Sequence, residues 1–195
     1  MSLMGGGDCS MRSLRPDFEK ALRFFGRAGL GFRAKGFQAP VLVGGAAVEL
    51  FSNNLIATGD FDIATARQEA FETELVALGF TRPQGPGVAT RGWIHADFKL
   101  GFEVVSATLL DGLAERDRLV LIDLGEDGVA AILSREDMIA DRMGQFHSGA
   151  APEMLGQAKV LASLHKDLDR AYLERRIREE TAGDLGVQDL SADPA

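Results

Sequence analysis

The sequence predicts an α+β fold: a small mixed β-sheet flanked by helices, followed by a C-terminal helical segment. Apolar residues recur at helical spacing at the start of the chain, alternate with polar residues in its middle, and return to helical spacing from Ser134. At 195 residues, with 46 % hydrophobic and 26 % charged residues, the chain is long and apolar enough to bury a sizeable core. These observations favour one folded domain.

The first predicted helix runs from Leu14 to Arg27, and Gly26 and Gly29 are expected to close it. The later predicted elements are strand 40–43, helix 46–51, strand 61–64, helix 68–78, strand 98–104, strands 118–124 and 129–133, a helix beginning at 134, helix 152–164 and helix 166–180. Prolines and glycines make 81–87 a predicted loop. Ten of the fifteen residues in 166–180 are charged, which is typical of a solvated helix edged with ion pairs.

We expect four parts in the chain. Residues 1–13 form a disordered or tag-like N-terminus, 14–133 the α+β core, 134–180 helices packed on that core, and 181–195 a frayed tail.

Charge and cysteine content restrict the function. The 21 Lys and Arg residues against 29 Asp and Glu residues give a net charge of −8, which disfavours broad binding to DNA. The single cysteine, Cys9, excludes an intrachain disulfide and any multi-thiolate metal site. The sequence has no long apolar run and no signal-peptide pattern, so we expect a cytoplasmic protein that does not enter membranes.

Two carboxylates stand out in the segment Asp60-Phe61-Asp62-Ile63. On a strand, Asp60 and Asp62 project from one face about 7 Å apart, while Phe61 and Ile63 enter the core. Two anions at that distance repel by about 2 kcal/mol at an effective dielectric of 20. A divalent cation such as Mg²⁺ bound between them would replace this repulsion with attraction. The same pair could also be exposed residues of an edge strand.

Gly44-Gly45 lies where the strand 40–43 passes into a helix. Because glycine has no Cβ atom, a phosphate can approach the backbone N–H groups at the positive end of that helix. The alternative is an ordinary tight turn.

The order and spacing of these features resemble the nucleotidyltransferase-fold superfamily, in which a Gly-Gly or Gly-Ser turn precedes an acid–apolar–acid strand. Val43–Ala47 and Thr58–Ile63 carry the resemblance. Thr58, two residues before the first acid, makes the sequence most similar to the bacterial abortive-infection and toxin-like (AbiEii-like) group. Ser134–Ala140 also resembles the start of the helix after the catalytic sheet in that group.

The resemblance implies that Asp60 and Asp62 are catalytic and hold metal, and that Gly44, Gly45 and Thr58 contact the nucleotide. It also requires a third acid on a later strand. We assign Glu103, which lies on the polar face of its predicted strand; Asp97 and Asp123 remain alternatives. Cationic partners for the triphosphate are less obvious from the sequence: the nearby candidates are Lys99, Arg67 and Arg91.

The implied activity is a Mg²⁺-dependent nucleotidyl transfer with two metal ions. An NTP would supply the nucleotide, and the acceptor would be an RNA, a protein or a small molecule. The resemblance further implies a toxin–antitoxin or phage-defence role with an antitoxin-like protein partner. The alternatives are a catalytically inactive relative that binds a nucleotide or partner and regulates, and a purely structural module.

Overall fold

The order of helices and strands places a central sheet between an N-terminal and a C-terminal group of helices. The structure, a computed structural model, describes residues 14–83 and 92–191. In these ranges the elements are α1 (Pro16–Ala34), β1 (Val41–Val43), α2 (Gly44–Phe51), β2 (Asp60–Ala64), α3 (Gln68–Ala77), β3 (Trp93–His95), β4 (Phe98–Ser106), β5 (Val120–Asp123), β6 (Val129–Ile132), α4 (Arg135–His147), α5 (Met154–Leu164) and α6 (Arg170–Glu180). The predicted N-terminal segment 1–13 and residues 84–87 of the predicted loop lie outside them.

The strands form one mixed sheet in the order β3-β4-β2-β1-β6-β5. β1 pairs antiparallel with β2 and parallel with β6, and β2 pairs parallel with β4. The two edge strands are β3, which pairs antiparallel with β4, and β5, which pairs antiparallel with β6. The mixed sheet with flanking helices confirms the predicted fold class.

The core lies between the sheet and α1. Phe18 of α1 packs 5.1 Å from Phe61 of β2, whose ring stacks on Phe102 of β4 at 4.9 Å between centroids. All three side chains are fully buried. Burying such rings is the main source of stability for an α-helix on a sheet.

α1 continues seven residues beyond the predicted end at Arg27, so the expectation that Gly26 and Gly29 close the helix is wrong. Gly26 instead lets the helix approach the turn before β6, because a Cβ there would stand 2.6 Å from the carbonyl oxygen of Asp127. Close packing therefore offsets the low helix propensity of this glycine.

The C-terminal helices pack together, since α4 contacts both α5 and α6 and also touches α2. Ser134, where the sequence predicts that this helix begins, caps α4 by accepting a hydrogen bond from the backbone N–H of Asp137 at 3.0 Å. α6 differs from the solvated helix that we expected, because Arg176 on it is fully buried.

Residues 181–191 also differ from the expected frayed tail. Thr181 is fully buried, and Val187–Leu190 forms a 3₁₀ helix whose first backbone N–H donates to Glu174 of α6 at 2.8 Å. No helix of the described chain has the length and apolarity needed to cross a bilayer.

Candidate active site

The predicted acid pair lies on β2 with the expected alternation. Phe61 and Ile63 are fully buried, Asp62 is half-buried, and Asp60 is exposed. Both carboxylates therefore leave the same side of the strand, opposite the residues that face the core.

The parallel register of β2 and β4 places Glu103 beside this pair. Asp62 is the Cα partner of Glu103, and Asp60 is the partner of Gly101. Paired residues of neighbouring strands project from the same face of a sheet, so three carboxylates share one face.

The two alternative third acids lie elsewhere. Asp97 is in the turn between β3 and β4, where its backbone N–H donates to His95. Asp123 ends the edge strand β5, three strands away from β2, and its carboxylate accepts from the N–H of Gly125. The register thus favours Glu103.

The glycine turn meets the same carboxylates because β1 and β2 are antiparallel. Val43, the last residue of β1, pairs with Asp62, so the start of α2 lies next to that side chain. The backbone N–H of Gly45 donates to Asp62 Oδ2 at 3.4 Å. Gly44 has φ of 60°, and a Cβ at this position would overlap the Asp62 carboxylate. Glycine is required here both by conformation and by space.

Thr58 covers the other glycine. A Cβ on Gly45 would overlap the Thr58 hydroxyl, which donates to the carbonyl oxygen of Asp60 at 3.1 Å. The side chain of Thr58 therefore links the turn before β2 to the first helical residues of α2.

The environment of Asp62 disfavours its negative charge. Burial raises the pKa of the Asp62 carboxyl, and the nearby charges of Asp60 and Glu103 raise it further. The Gly45 N–H and the positive charge of Arg142 act in the opposite direction, and the net shift is upward. A cation placed among these carboxylates would relieve the repulsion.

The donors fit a hard divalent cation in chemistry and in the face that they share. Within residues 14–83 and 92–191, however, no three side chains of His, Cys, Asp or Glu are gathered as a metal centre would need. The carboxylates must turn toward one another to share an ion.

A cavity of about 430 Å³ opens beside Asp62, between the sheet and the C-terminal helices. Its lining includes Gly44, Ser106 near the end of β4, Arg142 of α4 and Glu180 of α6. The position of this cavity lets a bound molecule contact the glycine turn, an acid and a cation together.

Arg142 is the cation that the sequence did not reveal. It is 5 % exposed, and its Nη1 lies 3.2 Å from Asp141 Oδ2. Its buried Nε has no hydrogen-bond partner among the described residues. A buried guanidinium N–H without a partner is energetically unfavourable, so an acceptor group from a ligand would stabilise it.

The cationic residues predicted from the sequence are placed less favourably. Lys99 is exposed on β4, on the face of Glu103 and two residues before Gly101. Arg67 lies over the ring of Phe37 and lines a different cavity with Arg116. Arg91 lies outside the described residues.

The chain is similar to the solution structure of the antibiotic-resistance factor ANT(2'')-Ia, an aminoglycoside nucleotidyltransferase. The TM-score is 0.51 at 12 % sequence identity, and the alignment covers 84 % of this chain and 92 % of that chain. No protein-family model matches the sequence, and a search of the curated proteins finds no match. The similarity supports a nucleotidyltransferase fold but not membership of the abortive-infection group.

Proposed function

We propose that this protein is a nucleotidyltransferase that moves a nucleoside monophosphate from an NTP to an acceptor hydroxyl. The observation that carries the proposal is the meeting of Gly44, Asp62 and Glu103, which come from three different segments of the chain. An ordinary tight turn or an edge strand does not require this arrangement, in which a glycine at the start of a helix contacts a carboxylate whose charge is destabilised by neighbouring acids.

Each residue has a distinct part in this proposal. The N–H groups at the start of α2, beginning with Gly44 and Gly45, receive phosphate oxygens, and Thr58 lies against Gly45. Asp60, Asp62 and Glu103 hold Mg²⁺, which supplies charge neutralisation for the triphosphate. The cleft between the core 14–133 and the helices 134–180 takes the substrate.

Arg142 completes the phosphate site. Its partnerless Nε and its position beside Asp62 suit a negatively charged oxygen of the triphosphate, which a guanidinium binds by charge-assisted hydrogen bonds. Lys99 adds a second, exposed cation at the outer end of the same face.

The reaction balances without further reactants. The acceptor oxygen bonds to the α-phosphorus, the bond from that phosphorus to the bridging oxygen breaks, and pyrophosphate leaves. Asp62 or Glu103 accepts the proton of the hydroxyl, a role that suits a carboxyl whose pKa is raised above its ordinary value by burial, as that of Asp62 is.

The biological setting that we propose follows from the sequence resemblance to the abortive-infection and toxin-like group. Thr58 and the segment Ser134–Ala140 support it. In that setting the protein is cytoplasmic and acts with an antitoxin-like partner, and its acceptor is an RNA, a protein or a small molecule.

A second candidate function is nucleotide binding without turnover. The carboxylates do not form a three-residue metal centre within the described residues, and glutamate occupies the third acidic position. A protein of this kind would bind an NTP or a partner and act as a regulator.

Calorimetric titration with ATP, GTP, CTP and UTP, with and without Mg²⁺, tests both functions. The native chain is compared with Asp60→Ala/Asp62→Ala and with Asp123→Ala, which removes an acid from the far edge of the sheet. We expect Mg²⁺-dependent binding in the native chain and in Asp123→Ala only. Release of pyrophosphate with an acceptor then identifies the enzyme, and its absence identifies the regulator. Equal NTP binding by all three chains would contradict the proposal.

A further inference from the structure

One buried acid outside the proposed catalytic set lies on α2 itself. Glu49 is fully buried, four residues after Gly45 and therefore on the same side of the helix. The residues around it on α2 are apolar and buried, so this carboxylate has to find its partners in other segments.

Glu49 finds those partners in the segment before β2 and in the residue before α1. Its Oε2 accepts the backbone N–H of Thr58 at 2.6 Å. Its two oxygens also accept a forked pair of bonds from Arg15, at 2.6 Å from Nε and 2.8 Å from Nη2. The same Nη2 donates to the carbonyl oxygen of Thr58 at 3.0 Å.

Arg15 and Glu49 thus hold both polar groups of one peptide residue. The N–H of Thr58 is bound by the carboxylate and its C=O by the guanidinium. The hydroxyl of Thr58 continues the chain of contacts, because it donates to the carbonyl oxygen of Asp60 and covers Gly45. A forked arginine–carboxylate pair fixes direction as well as distance.

We propose that Arg15 and Glu49 are positioning residues of the nucleotide site. Together they hold Thr58 against Gly45, and so set the distance between the carboxylates of β2 and the N–H groups at the start of α2. This inference rests on the proposed function, since it assigns the pair a role in binding Mg²⁺ and NTP.

Glutamine at position 49 is the sharpest variant. An amide has an accepting end and a donating end, so its N–H₂ must face either Arg15 or the N–H of Thr58. Glu49→Gln therefore keeps the size of the side chain but loses the hydrogen bond either to Arg15 or to the N–H of Thr58. Arg15→Lys is the second variant; it keeps the charge at a side chain that is 41 % exposed, but a single ammonium cannot reproduce the fork.

Asp127→Asn is the matched control. Asp127 is also a carboxylate bound by arginines of the α1 region, Arg23 and Arg27, but it lies in the turn between β5 and β6. That turn precedes β6, which runs parallel to β1, so it lies at the end of the sheet opposite Gly44. Loss of this ion pair changes stability without touching the nucleotide site.

The experiment measures the dissociation constant of a non-hydrolysable NTP with Mg²⁺, the melting temperature, and hydrogen exchange of the Thr58 amide. We expect Glu49→Gln to weaken NTP binding about tenfold, in the range for residues that support ligand-binding groups, and Arg15→Lys to weaken it less. The Thr58 amide should exchange faster in both variants. Asp127→Asn should keep native affinity and native exchange at Thr58.

The outcomes separate this inference from the proposed function. If the native chain binds Mg²⁺ and NTP and Glu49→Gln binds equally well at the same temperature, Arg15 and Glu49 only support the fold and the inference is wrong. If the native chain binds no NTP, the proposed function fails and the role in binding fails with it. Unchanged exchange at Thr58 in both variants would contradict the arrangement itself.

Discussion

Two adjacent glycines let a carboxylate and a hydroxyl lie directly against the backbone at the start of α2. Gly44 has a positive φ and faces Asp62, whereas Gly45 faces Thr58. Any side chain at either position would displace one of these groups, so the spacing of the proposed site depends on both glycines.

Gly44→Ala should therefore lose Mg²⁺-dependent NTP binding and lower the free energy of unfolding by about 1–3 kcal/mol, the usual cost of a strained backbone conformation. The matched control is Gly59→Ala, because Gly59 has no atom within 4 Å of an added Cβ and no positive φ. Calorimetry for the nucleotide and urea unfolding for stability measure the two effects. Native affinity in Gly44→Ala would contradict the role of the turn.

The raised pKa of Asp62 predicts a conflict between stability and function at one residue. A carboxyl whose pKa is higher in the folded than in the unfolded state favours folding most below its ordinary pKa. This contribution is lost as the pH rises through the raised pKa. At neutral pH the ionised side chain therefore works against the fold when no cation is bound.

Asp62→Asn removes that ionisation. Without metal we expect its melting temperature at pH 7 to exceed that of the native chain by about 2 °C, while NTP binding is lost. The difference should vanish near about pH 3, where the native carboxyl is protonated in both states. Thermal melts across this range test the sign. Asp60→Asn, which removes one repelling charge but leaves the Asp62 carboxyl buried, should raise the melting temperature at pH 7 by less than Asp62→Asn does. A lower melting temperature for Asp62→Asn at pH 7 would contradict the electrostatic argument.

At the scale of residues, the sequence could predict groups whose spacing is local. Asp60, Asp62 and the two glycines follow from alternation and from a strand that passes into a helix. Arg142 could not be found in this way, because its proximity to Asp62 depends on how α4 packs against the sheet. Glu49 did leave a signal, since a lone acid within an apolar helix has to be paired when it is buried.

The C-terminal helices are joined by a buried polar cluster centred on Asp137 of α4. Its carboxylate accepts from Ser134 at 2.6 Å, from the hydroxyl of Tyr172 at 3.0 Å and from Nε of Arg176 at 2.7 Å. Burial acts against the charge of Arg176, but its bonds to Asp137, Glu179 and Glu180 raise its pKa overall. The cluster fixes α6 against α4.

Arg176→Gln should therefore be among the most destabilising single changes in the chain. It leaves the carboxylate of Asp137 buried without its cation, which costs about 3–5 kcal/mol when a buried pair is broken. Urea unfolding measures the loss. Arg178→Gln is the control, because Arg178 on the same helix pairs with Glu174 at the surface and should change stability by less than about 1 kcal/mol. Equal losses in the two variants would contradict the argument.

At the scale of elements, periodicity predicted most helices and strands but not the environment of each. The charge-rich run 166–180 was expected to be a solvated helix because ten charges over fifteen residues offer partners along its own surface. The structure begins the helix at Arg170 and buries one of its arginines against α4. Composition alone cannot distinguish a charge that meets solvent from one that meets a partner 39 residues away in the sequence.

At the scale of the whole molecule, the proposed site depends on the sheet and the C-terminal helices together. Gly44 and Asp62 come from the sheet region, while Arg142 and Glu180 reach the same cavity from α4 and α6. The fold class could be predicted from the order of elements, but this cavity could not, because it lies between segments that are far apart in the sequence.

Arg142→Gln tests the contribution of the helices to the site. We expect the affinity for NTP to fall about 10- to 100-fold, which is the usual contribution of hydrogen bonds to a charged group. Arg142→Lys should give an intermediate affinity. Arg135→Gln on the same helix is the control, since Arg135 pairs with Asp167 and does not line the cavity. Calorimetric titration measures all three. Unchanged affinity in Arg142→Gln would place the triphosphate elsewhere.

The edge strand β3 carries the single tryptophan of the sequence. Trp93 pairs with Phe102, the residue immediately before Glu103, and Arg82 lies 4.9 Å over its ring. Paired residues project from the same face of a sheet, so the indole lies on the core face with Phe102, opposite the carboxylates. Intrinsic fluorescence then offers a label-free optical signal for opening of this edge of the core, readable in a stopped-flow instrument on the native chain, and a cation bound at the carboxylates should leave it nearly unchanged.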